Sequence, residues 1–396
     1  MKQIHLTLSW ALLTAFSGLA AKPLSPVEQR MQAFVKEKVI AGSVTAIASK
    51  DKVISLKSVG YADLKTKESM RADHLFWIAS MTKPMAAVCV LQLQQEGKLS
   101  IEDPVEKHLP EFKNQWMVDK RDGGKLILKR SARPITIFDL LTHTAGVANT
   151  NSPRPESTLG ELVMSYSKTP LNFEPGSKWS YSNAGINTLG RIVEVVSGIP
   201  FAVFLQERVL DPCDMKDTTF WPSKEQAKRI AKSYRSDKKG ELQQVEVRFL
   251  AGGISNRKRT PYPAGGLYST AGDVTRFYQM MLNGGMLDGK RVLKKETAVL
   301  MTQTQTGDIR TGFVDGMSWG RGFQVVKEPM GVTESLSTGT YGHGGAYATQ
   351  SWADPKRGII VVMMIQRAGF VMETTHLYAR AFRKRPKDSW AVNGPI

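Results

Sequence analysis

The chain has 396 residues, of which 41% are hydrophobic and 23% are charged, so it carries enough apolar side chains to fold around a large core. This composition, without low-complexity tracts or internal repeats, excludes a disordered chain and a repeat architecture. The net charge of +18 is compatible with an anionic cell-wall polymer as partner, but the basic runs are scattered and lack interleaved aromatic residues, so no nucleic-acid partner is expected.

The first residues have the pattern of a secretory signal. Lys2 supplies a positive start, residues 4–16 are mostly apolar, and the small residues at 17–21 offer a cleavage site. We therefore predict a signal peptide over residues 1–20 and a periplasmic or secreted mature protein. The apolar run is too short and too polar to span a membrane comfortably, and we expect no stable membrane span after signal cleavage.

Helix and strand patterns alternate in the next part of the chain. Ser25 and Glu28 form a capping-box pattern that opens a helix ending near residue 38. Residues 43–59 contain two β-type runs around a short polar turn, which predicts an antiparallel hairpin. Residues 80–95 are apolar on most faces, a pattern typical of a helix buried in the centre of a protein.

The remaining elements are helical in the middle and β-type towards the end. The basic stretch of residues 113–133 is interpreted as an exposed loop near the site entrance, where it could shape substrate choice. Helices are predicted at residues 137–141, 184–197 and 270–282, strands at 320–326, 348–353 and 358–366, and a closing helix at 371–383.

Strands near both termini with helices between them predict an α+β fold. We expect an antiparallel sheet flanked by helices and built from both chain ends, about residues 22–78 and 315–396. An all-helical lobe of about residues 79–314 is inserted between them, and both parts belong to one domain over residues 21–396.

The first segment that carries chemistry is Ser80-Met81-Thr82-Lys83, at the start of the buried helix. Residues three apart share a helix face, so the Lys83 amine can reach the Ser80 hydroxyl. A serine hydroxyl is a weak nucleophile without such a base, and the positive end of the helix favours an alkoxide. The structural alternative is an N-cap serine followed by a surface lysine.

Two further segments follow in the chain. In Tyr181-Ser182-Asn183, a tyrosine phenolate beside Lys83 could take the Ser80 proton, and Asn183 could bind a substrate carbonyl or hold the lysine. The other segment is Tyr341-Gly342-His343-Gly344-Gly345-Ala346. Its glycines let a strand pass close to a ligand, and a backbone N–H there could join that of Ser80 in an oxyanion hole.

The three segments, in this order, resemble the motifs of class C β-lactamases and of related D-alanyl-D-alanine carboxypeptidases, D-aminopeptidases and family VIII carboxylesterases. The stretches at 140–146 and 263–270 also resemble this family, and the resemblance covers roughly residues 27–380. It implies an α/β lobe beside a helical lobe with the site between them.

The resemblance also implies residue roles. Ser80 is then the acylated nucleophile, and Lys83 with Tyr181 forms the base system. Asn183 binds the substrate amide or orients the lysine, while the N–H groups of Ser80 and Ala346 form the oxyanion hole. The strand residues His343, Gly344 and Gly345 line the substrate.

The third motif departs from the lysine-threonine-glycine that is usual in class C β-lactamases. His343 is mostly neutral at pH 7, so attraction for a substrate carboxylate is weaker. We therefore expect an exported serine hydrolase acting on small esters, and hypothesise that His343 influences Tyr181 ionisation. D-alanyl-D-alanine carboxypeptidase, D-aminopeptidase or β-lactamase activity is the alternative, and a non-catalytic cell-wall-binding homologue is the second.

Other residues invite interpretation without forming a motif. His143 is expected to be structural, and Trp77, Trp179 and Tyr347 are either pocket-lining or core residues. No metal-binding pattern or cofactor motif is present in the sequence, so no metal and no cofactor is expected. The two cysteines, Cys89 and Cys213, are expected to be free thiols.

Overall fold

The computed structural model describes residues 25–150, 155–247, 250 and 252–369. The predicted signal peptide and the predicted closing helix lie outside these residues. The α-helices are α1 (Pro26–Lys36), α2 (Lys83–Gln95), α3 (Val105–His108), α4 (Ile137–Thr142), α5 (Leu159–Ser167), α6 (Asn183–Ser197), α7 (Phe201–Leu205), α8 (Lys224–Lys228), α9 (Ala271–Leu282) and α10 (Lys295–Thr302).

The strands near the amino terminus and in the insertion are β1 (Gly42–Ala48), β2 (Val53–Asp63), β3 (Glu68–Ser69), β4 (Phe76–Trp77), β5 (Trp116–Asp122), β6 (Lys125–Arg130), β7 (Ser233–Ser236), β8 (Leu242–Val245), β9 (Tyr268–Ser269), β10 (Met286–Leu287) and β11 (Lys290–Arg291). Those nearer the carboxyl terminus are β12 (Met317–Trp319), β13 (Gln324–Val326), β14 (Tyr341–Gly344), β15 (Gln350–Asp354), β16 (Ile359–Met364) and β17 (Arg367–Ala368).

The main sheet has eight strands in the order β12-β13-β14-β15-β16-β1-β2-β3, all paired antiparallel. β1 pairs with β16, which joins the two chain ends as predicted. Alternate residues of a strand face opposite sides of a sheet. Val44 and Ala46 accordingly pack into the main core, and Ile47 packs with Phe34 of α1 on the other side.

Several sequence predictions are confirmed in detail. The predicted capping box of Ser25 with Glu28 is formed, and the predicted helix at residues 137–141 is α4, which begins with a capping box of Thr136 with Asp139. α2 is buried along most of its length, as its apolar composition indicates. Cys89 and Cys213 are both free and buried.

The insertion is mainly helical but also contains short β-hairpins. The prediction of a loop at residues 113–133 is wrong, because β5 and β6 form an antiparallel ribbon there. Basic residues interrupt the apolar ones along both strands, so the alternation typical of a strand is not evident in the sequence. No single helix of the described residues is long and apolar enough to cross a membrane, although α6 and the segment Phe201–Leu210 pass that test together as a bent pair.

Candidate active site

Ser80 lies in a tight turn that leads into α2. The turn is a short 3-10 helix, Ala79–Thr82, and Ala79 has a φ of 46°, a left-handed conformation that is unfavourable for alanine. The preceding backbone is held by the Ile78 amide, which donates to Leu267 O at 3.0 Å. Ser80 is therefore presented from a strained and fixed turn.

Lys83 is the first residue of α2, and its side chain is buried. Its Nζ lies 3.0 Å from Ser80 Oγ and donates to the carbonyl oxygen of Ala264 at 2.5 Å. The Ala264 amide donates to Asn187 Oδ1 at 3.0 Å, so α6 fixes the carbonyl that orients the lysine. Burial lowers the pKa of the Lys83 amine well below its usual value, which favours the neutral base.

Tyr181 completes the group around the serine. Its phenol is hydrogen-bonded with Ser80, and Lys83 Nζ lies 4.7 Å from the centre of its ring. Burial raises the pKa of the Tyr181 phenol well above its usual value, and the hydrogen bond with Ser80 lowers it by less. The phenol is thus protonated at neutral pH, which differs from the phenolate considered on the sequence.

Two residues hold the Tyr181 segment in place. Asn149 Nδ2 donates to Tyr181 O at 3.0 Å, while Asn149 Oδ1 accepts from the Asn183 amide at 2.7 Å. His143 Nδ1 accepts from the Ser182 amide at 3.2 Å, and its ring centre lies 4.7 Å from that of Tyr181. His143 has the structural contacts expected of it. Asn149 belongs to none of the three motifs, so its role in positioning Tyr181 is evident only from its contacts in the structure.

The glycine-rich third segment lies against the Ser80 turn. A Cβ on Gly345 would lie 2.6 Å from Ile78 O, so a side chain there would push the end of β14 away from the Ser80 turn. Ala346 follows in an exposed turn. Within the described residues, neither the Ser80 N–H nor the Ala346 N–H makes a hydrogen bond, which leaves both amides able to bind an oxygen.

His343 is buried in β14 and neutral. Its Nδ1 lies 2.7 Å from Gly344 O, so Nδ1 donates and Nε2 carries the lone pair. Burial, with a smaller contribution from Lys83, lowers the pKa of His343 to about 3. Its ring centre lies 6.1 Å from that of Tyr181, and no hydrogen bond joins the two side chains in the described part of the chain. The hypothesised effect of His343 on Tyr181 ionisation stays a prediction.

The other residues named from the sequence have different surroundings. Asn183 begins α6 beside Tyr181, but no hydrogen bond between its side chain and Lys83 is found among the described residues. Trp77 is buried, donates to Gly265 O at 2.7 Å and packs edge-on against Tyr347, as core residues do.

Over the ranges that the structure describes, no group of three or more metal-ligating side chains occurs.

Six side-chain rings, that of Tyr181 among them, contact one another beside Lys83, and we call them the ring cluster. Their contacting pairs have centres 4.7 to 6.3 Å apart. The sequence analysis named Trp179 as a possible pocket residue but missed Phe313 and Trp319. Both lie far along the chain from the three motifs, so their spacing from the motifs gives no indication of contact. The cluster consists of His143, Trp179, Tyr181, Phe313, Trp319 and His343.

The antiparallel sheet, the inserted lobe and the serine–lysine–tyrosine group define a protein of the β-lactamase fold. The profile of the beta-lactamase family matches residues 27–383, and the chain belongs to this family.

Relatives span nearly the whole chain. Protein Rv1367c of Mycobacterium tuberculosis is 33% identical over 355 residues, which cover 83% of this chain and 86% of that protein. Esterase EstB of Burkholderia gladioli is 27% identical over 389 residues, covering 90% and 93%. Among solved structures, EstCE1, described as a hydrolase with promiscuous acyltransferase activity, superposes with a TM-score of 0.74 at 24% identity and covers 91% of this chain and 98% of its own.

Proposed function

We propose that this protein is an exported serine hydrolase that forms an acyl-enzyme on Ser80 and hydrolyses small esters. The observation that carries the proposal is the 3.0 Å contact between Lys83 Nζ and Ser80 Oγ in a buried site that also contains Tyr181. A neutral amine at this distance can accept the hydroxyl proton as the serine attacks. Binding alone would not require this arrangement, which argues against a non-catalytic homologue.

The chemical steps follow from the contacts. Ser80 Oγ attacks the ester carbonyl carbon while its proton passes to Lys83, and the carbonyl oxygen becomes an oxyanion bound by the Ser80 and Ala346 amides. When the tetrahedral intermediate collapses, the bond to the alcohol oxygen breaks and that oxygen takes a proton from Lys83 through the Tyr181 hydroxyl. Water then attacks the acyl carbon while its proton passes through the Tyr181 hydroxyl to Lys83. As the bond to Ser80 Oγ breaks, that oxygen takes the proton back from Lys83 and the acid is released.

The neutral His343 supports an ester as the preferred substrate. A lysine at this position would carry a fixed charge to attract the carboxylate of a penicillin or of a peptide carboxyl terminus. His343 is uncharged at neutral pH because its pKa is lowered to about 3. The name of the relative EstB, an esterase, points in the same direction.

Hydrolysis assays distinguish the substrate classes. The mature protein and Ser80→Ala are compared on a short-chain p-nitrophenyl ester, a chromogenic cephalosporin and a D-alanyl-D-alanine peptide. We expect the ester to be turned over fastest and the activity to vanish in Ser80→Ala. Preference for the cephalosporin or the peptide would replace the esterase proposal with a β-lactamase or peptidase, and activity equal to that of the variant on all three would contradict catalysis by Ser80.

Export is part of the same proposal and is supported by the pattern of residues 1–20. Expression of the full chain with a carboxyl-terminal tag should yield a periplasmic or secreted protein that lacks these residues by mass spectrometry. An uncleaved cytoplasmic product would contradict it. An anionic cell-wall polymer stays the proposed macromolecular partner of the strongly basic chain.

A further inference from the structure

The ring cluster holds unpaired polar atoms. Within the described residues, four of its ring nitrogens are buried without a hydrogen-bond partner: His143 Nε2, Trp179 Nε1, Trp319 Nε1 and His343 Nε2. Buried polar groups in folded proteins nearly always have a partner, and each one left without is destabilising. Four such atoms on rings that contact one another and Tyr181 indicate a place for a ligand.

The hydrogen-bond pattern assigns a role to each nitrogen. His143 Nδ1 accepts from a backbone amide, so the neutral ring carries its proton on Nε2. An indole nitrogen can only donate, which makes Trp179 and Trp319 donors as well. His343 donates through Nδ1 and therefore offers Nε2 as an acceptor. The cluster thus presents three neutral donors and one acceptor among aromatic faces.

We propose that the ring cluster is a substrate-binding pocket beside Ser80 for esters whose acyl chain carries a second, uncharged acceptor oxygen, such as a ketone. The proposal rests on the esterase function and specifies its substrate class. Aromatic walls bind the carbon chain, and the N–H groups of Trp179 and Trp319 bind the oxygen. A neutral oxygen is favoured over a carboxylate because the donors carry no charge.

Phe313 is the exposed member of the ring cluster. It is 58% exposed, and its ring centre lies 5.2 Å from that of Tyr181 and 5.8 Å from that of Trp179. The residue before it, Gly312, has a φ of 82°, a conformation that glycine adopts readily. Displacement of this exposed ring opens the cluster to an entering acyl chain.

The test uses two p-nitrophenyl esters that differ at one carbon, the 5-oxohexanoate and the hexanoate. The ratio of their kcat/KM values is compared between proteins, so that the intrinsic reactivity of each ester cancels. Trp319→Phe and Trp179→Phe keep an aromatic ring but lose the N–H, and each should lower the ratio about three- to tenfold. Trp221→Phe is the control, because its N–H donates to Arg259 O outside the cluster and its loss should leave the ratio unchanged.

The outcomes separate this inference from the proposed function. If Ser80-dependent turnover persists but neither cluster variant changes the ratio, the pocket proposal is wrong and the esterase proposal stands. If the wild type prefers the matching glutarate half-ester, with its carboxylate, the uncharged class is wrong. If the wild type hydrolyses none of these esters, the proposed function fails and the pocket proposal fails with it.

An independent observation concerns the ribbon of β5 and β6. Directly paired residues of neighbouring strands share a face. The pairs Trp116 with Arg130, Val118 with Leu128, and Arg121 with Leu126 therefore form one face. Three of its apolar side chains are exposed, with fractions of 45% for Trp116, 48% for Leu126 and 37% for Leu128.

Charge is divided between the two faces of the ribbon. Arg130 lies 3.8 Å from the centre of the Trp116 ring, and Arg121 stands beside Leu126. Both carboxylates within residues 116–130 have basic neighbours on the ribbon: Asp119 lies 2.7 Å from Lys129, and Asp122 lies 4.0 Å from Lys120. The apolar face thus combines leucine, tryptophan and arginine without a carboxylate.

We infer that this face binds the surface of an anionic lipid membrane. Tryptophan and leucine enter the interfacial region, while the arginines pair with lipid phosphates. The charge of the face is complementary to anionic headgroups, and the exposed apolar side chains distinguish it from a merely solvated basic surface.

Vesicle binding tests this surface. The mature protein is sedimented with vesicles of phosphatidylcholine containing phosphatidylglycerol and with phosphatidylcholine alone. We expect binding to the anionic vesicles that falls about tenfold or more in Arg121→Gln/Arg130→Gln and in Leu126→Ser/Leu128→Ser. The matched charge control, Lys120→Gln/Lys125→Gln on the other face, should lose about threefold or less.

Three results would overturn the membrane proposal. If the double arginine variant and the double lysine variant lost vesicle binding equally, binding would depend on net charge and not on the apolar face. A dimer that Leu126→Ser/Leu128→Ser dissociates, without vesicle binding, would assign the face to a second copy of the chain. Binding to an anionic cell-wall polysaccharide in place of vesicles would assign it to that polymer.

Discussion

At the scale of single residues, the site depends on how burial changes ionisation. Lys83 has no carboxylate partner among its contacts in the described residues, and its hydrogen bonds go to neutral oxygens. Burial without a counter-charge disfavours the ammonium form. The same burial that makes this lysine costly for folding therefore lowers its pKa and favours the neutral amine, which can act as a base.

Replacement of Lys83 by methionine separates these two effects. We expect kcat/KM on a short-chain ester to fall by about 10²- to 10⁴-fold, because the general base is lost. The melting temperature should be unchanged or higher, since a buried polar amine is replaced by an apolar side chain. Lys50→Met, at an exposed turn, is the control and should retain activity. Activity within threefold of wild type in Lys83→Met would contradict the assignment.

His343 should make stability depend on pH. Its folded pKa of about 3 lies below the ordinary value of 6.5, so the unfolded chain takes up a proton between these values and the folded protein does not. Stability is therefore complete above about pH 6.5 and falls as the pH is lowered, at up to about 1.4 kcal/mol per pH unit.

Urea unfolding at about pH 6.5 and about pH 4.5 measures this effect. The free energy of unfolding should fall less in His343→Gln than in wild type between the two values. His143 remains in both proteins, and its pKa is lowered chiefly by burial, then by Lys83 and least by His343, so most of its contribution is common to the two. An identical pH dependence in wild type and variant would show that His343 does not titrate as described.

Sequence reasoning identified the proposed catalytic residues but not the groups that position them. Ser80, Lys83 and Tyr181 stand in a recognisable order, and the structure brings them together. Asn149 and the carbonyl of Ala264 act through contacts that fold closure creates, and an asparagine or a backbone oxygen has no pattern of its own. The ionisation of Tyr181 could not be read from sequence either, because it depends on burial.

At the scale of elements, the approach of β14 to the Ser80 turn is decisive. Gly345 permits it, since a Cβ there would lie 2.6 Å from Ile78 O and 2.1 Å from Thr349 Oγ1. Gly345→Ala should displace the strand and lower kcat/KM by about 100-fold, as small misplacements of reacting groups do.

Gly272→Ala is the matched control for this change. Gly272 lies in the first turn of α9, where a Cβ would meet nothing closer than 3.8 Å. We expect unchanged activity and a gain in stability of about 0.5–1 kcal/mol. Full activity in Gly345→Ala, measured on the same ester, would show that close approach of β14 is not needed.

Element predictions succeeded where local signals were strong. The capping box of α1 and the apolar composition of α2 mark their helices directly. The ribbon of β5 and β6 was missed because its exposed strands mix leucines with lysines and arginines, a composition that polar loops share. The ribbon is held by pairing between its two strands and not by burial of one face. A prediction from hydrophobic periodicity does not detect such pairing.

At the scale of the whole molecule, β1 and β16 join the two ends of the chain in one sheet around a mostly helical insertion. Both cysteines lie in the main core. Burial raises the pKa of the Cys213 thiol to about 12 and raises that of the Cys89 thiol even more. Neither thiol should react with a thiol reagent in the native protein.

A thiol titration checks this account of the core. The native protein should show no rapidly reacting thiol, and the protein in denaturant should show both, because the sequence contains two cysteines. A native thiol that reacts within seconds would mean that the region around α2 or Cys213 opens to solvent.

The central claim is that Ser80 becomes covalently acylated, and trapping the intermediate tests it most directly. The protein is mixed with a p-nitrophenyl ester, quenched in acid within the burst phase and digested for mass spectrometry. We predict one acyl group on the peptide that contains Ser80, and none on that peptide from Ser80→Ala. An acyl group on another residue, or ester turnover that persists in Ser80→Ala, would contradict the account.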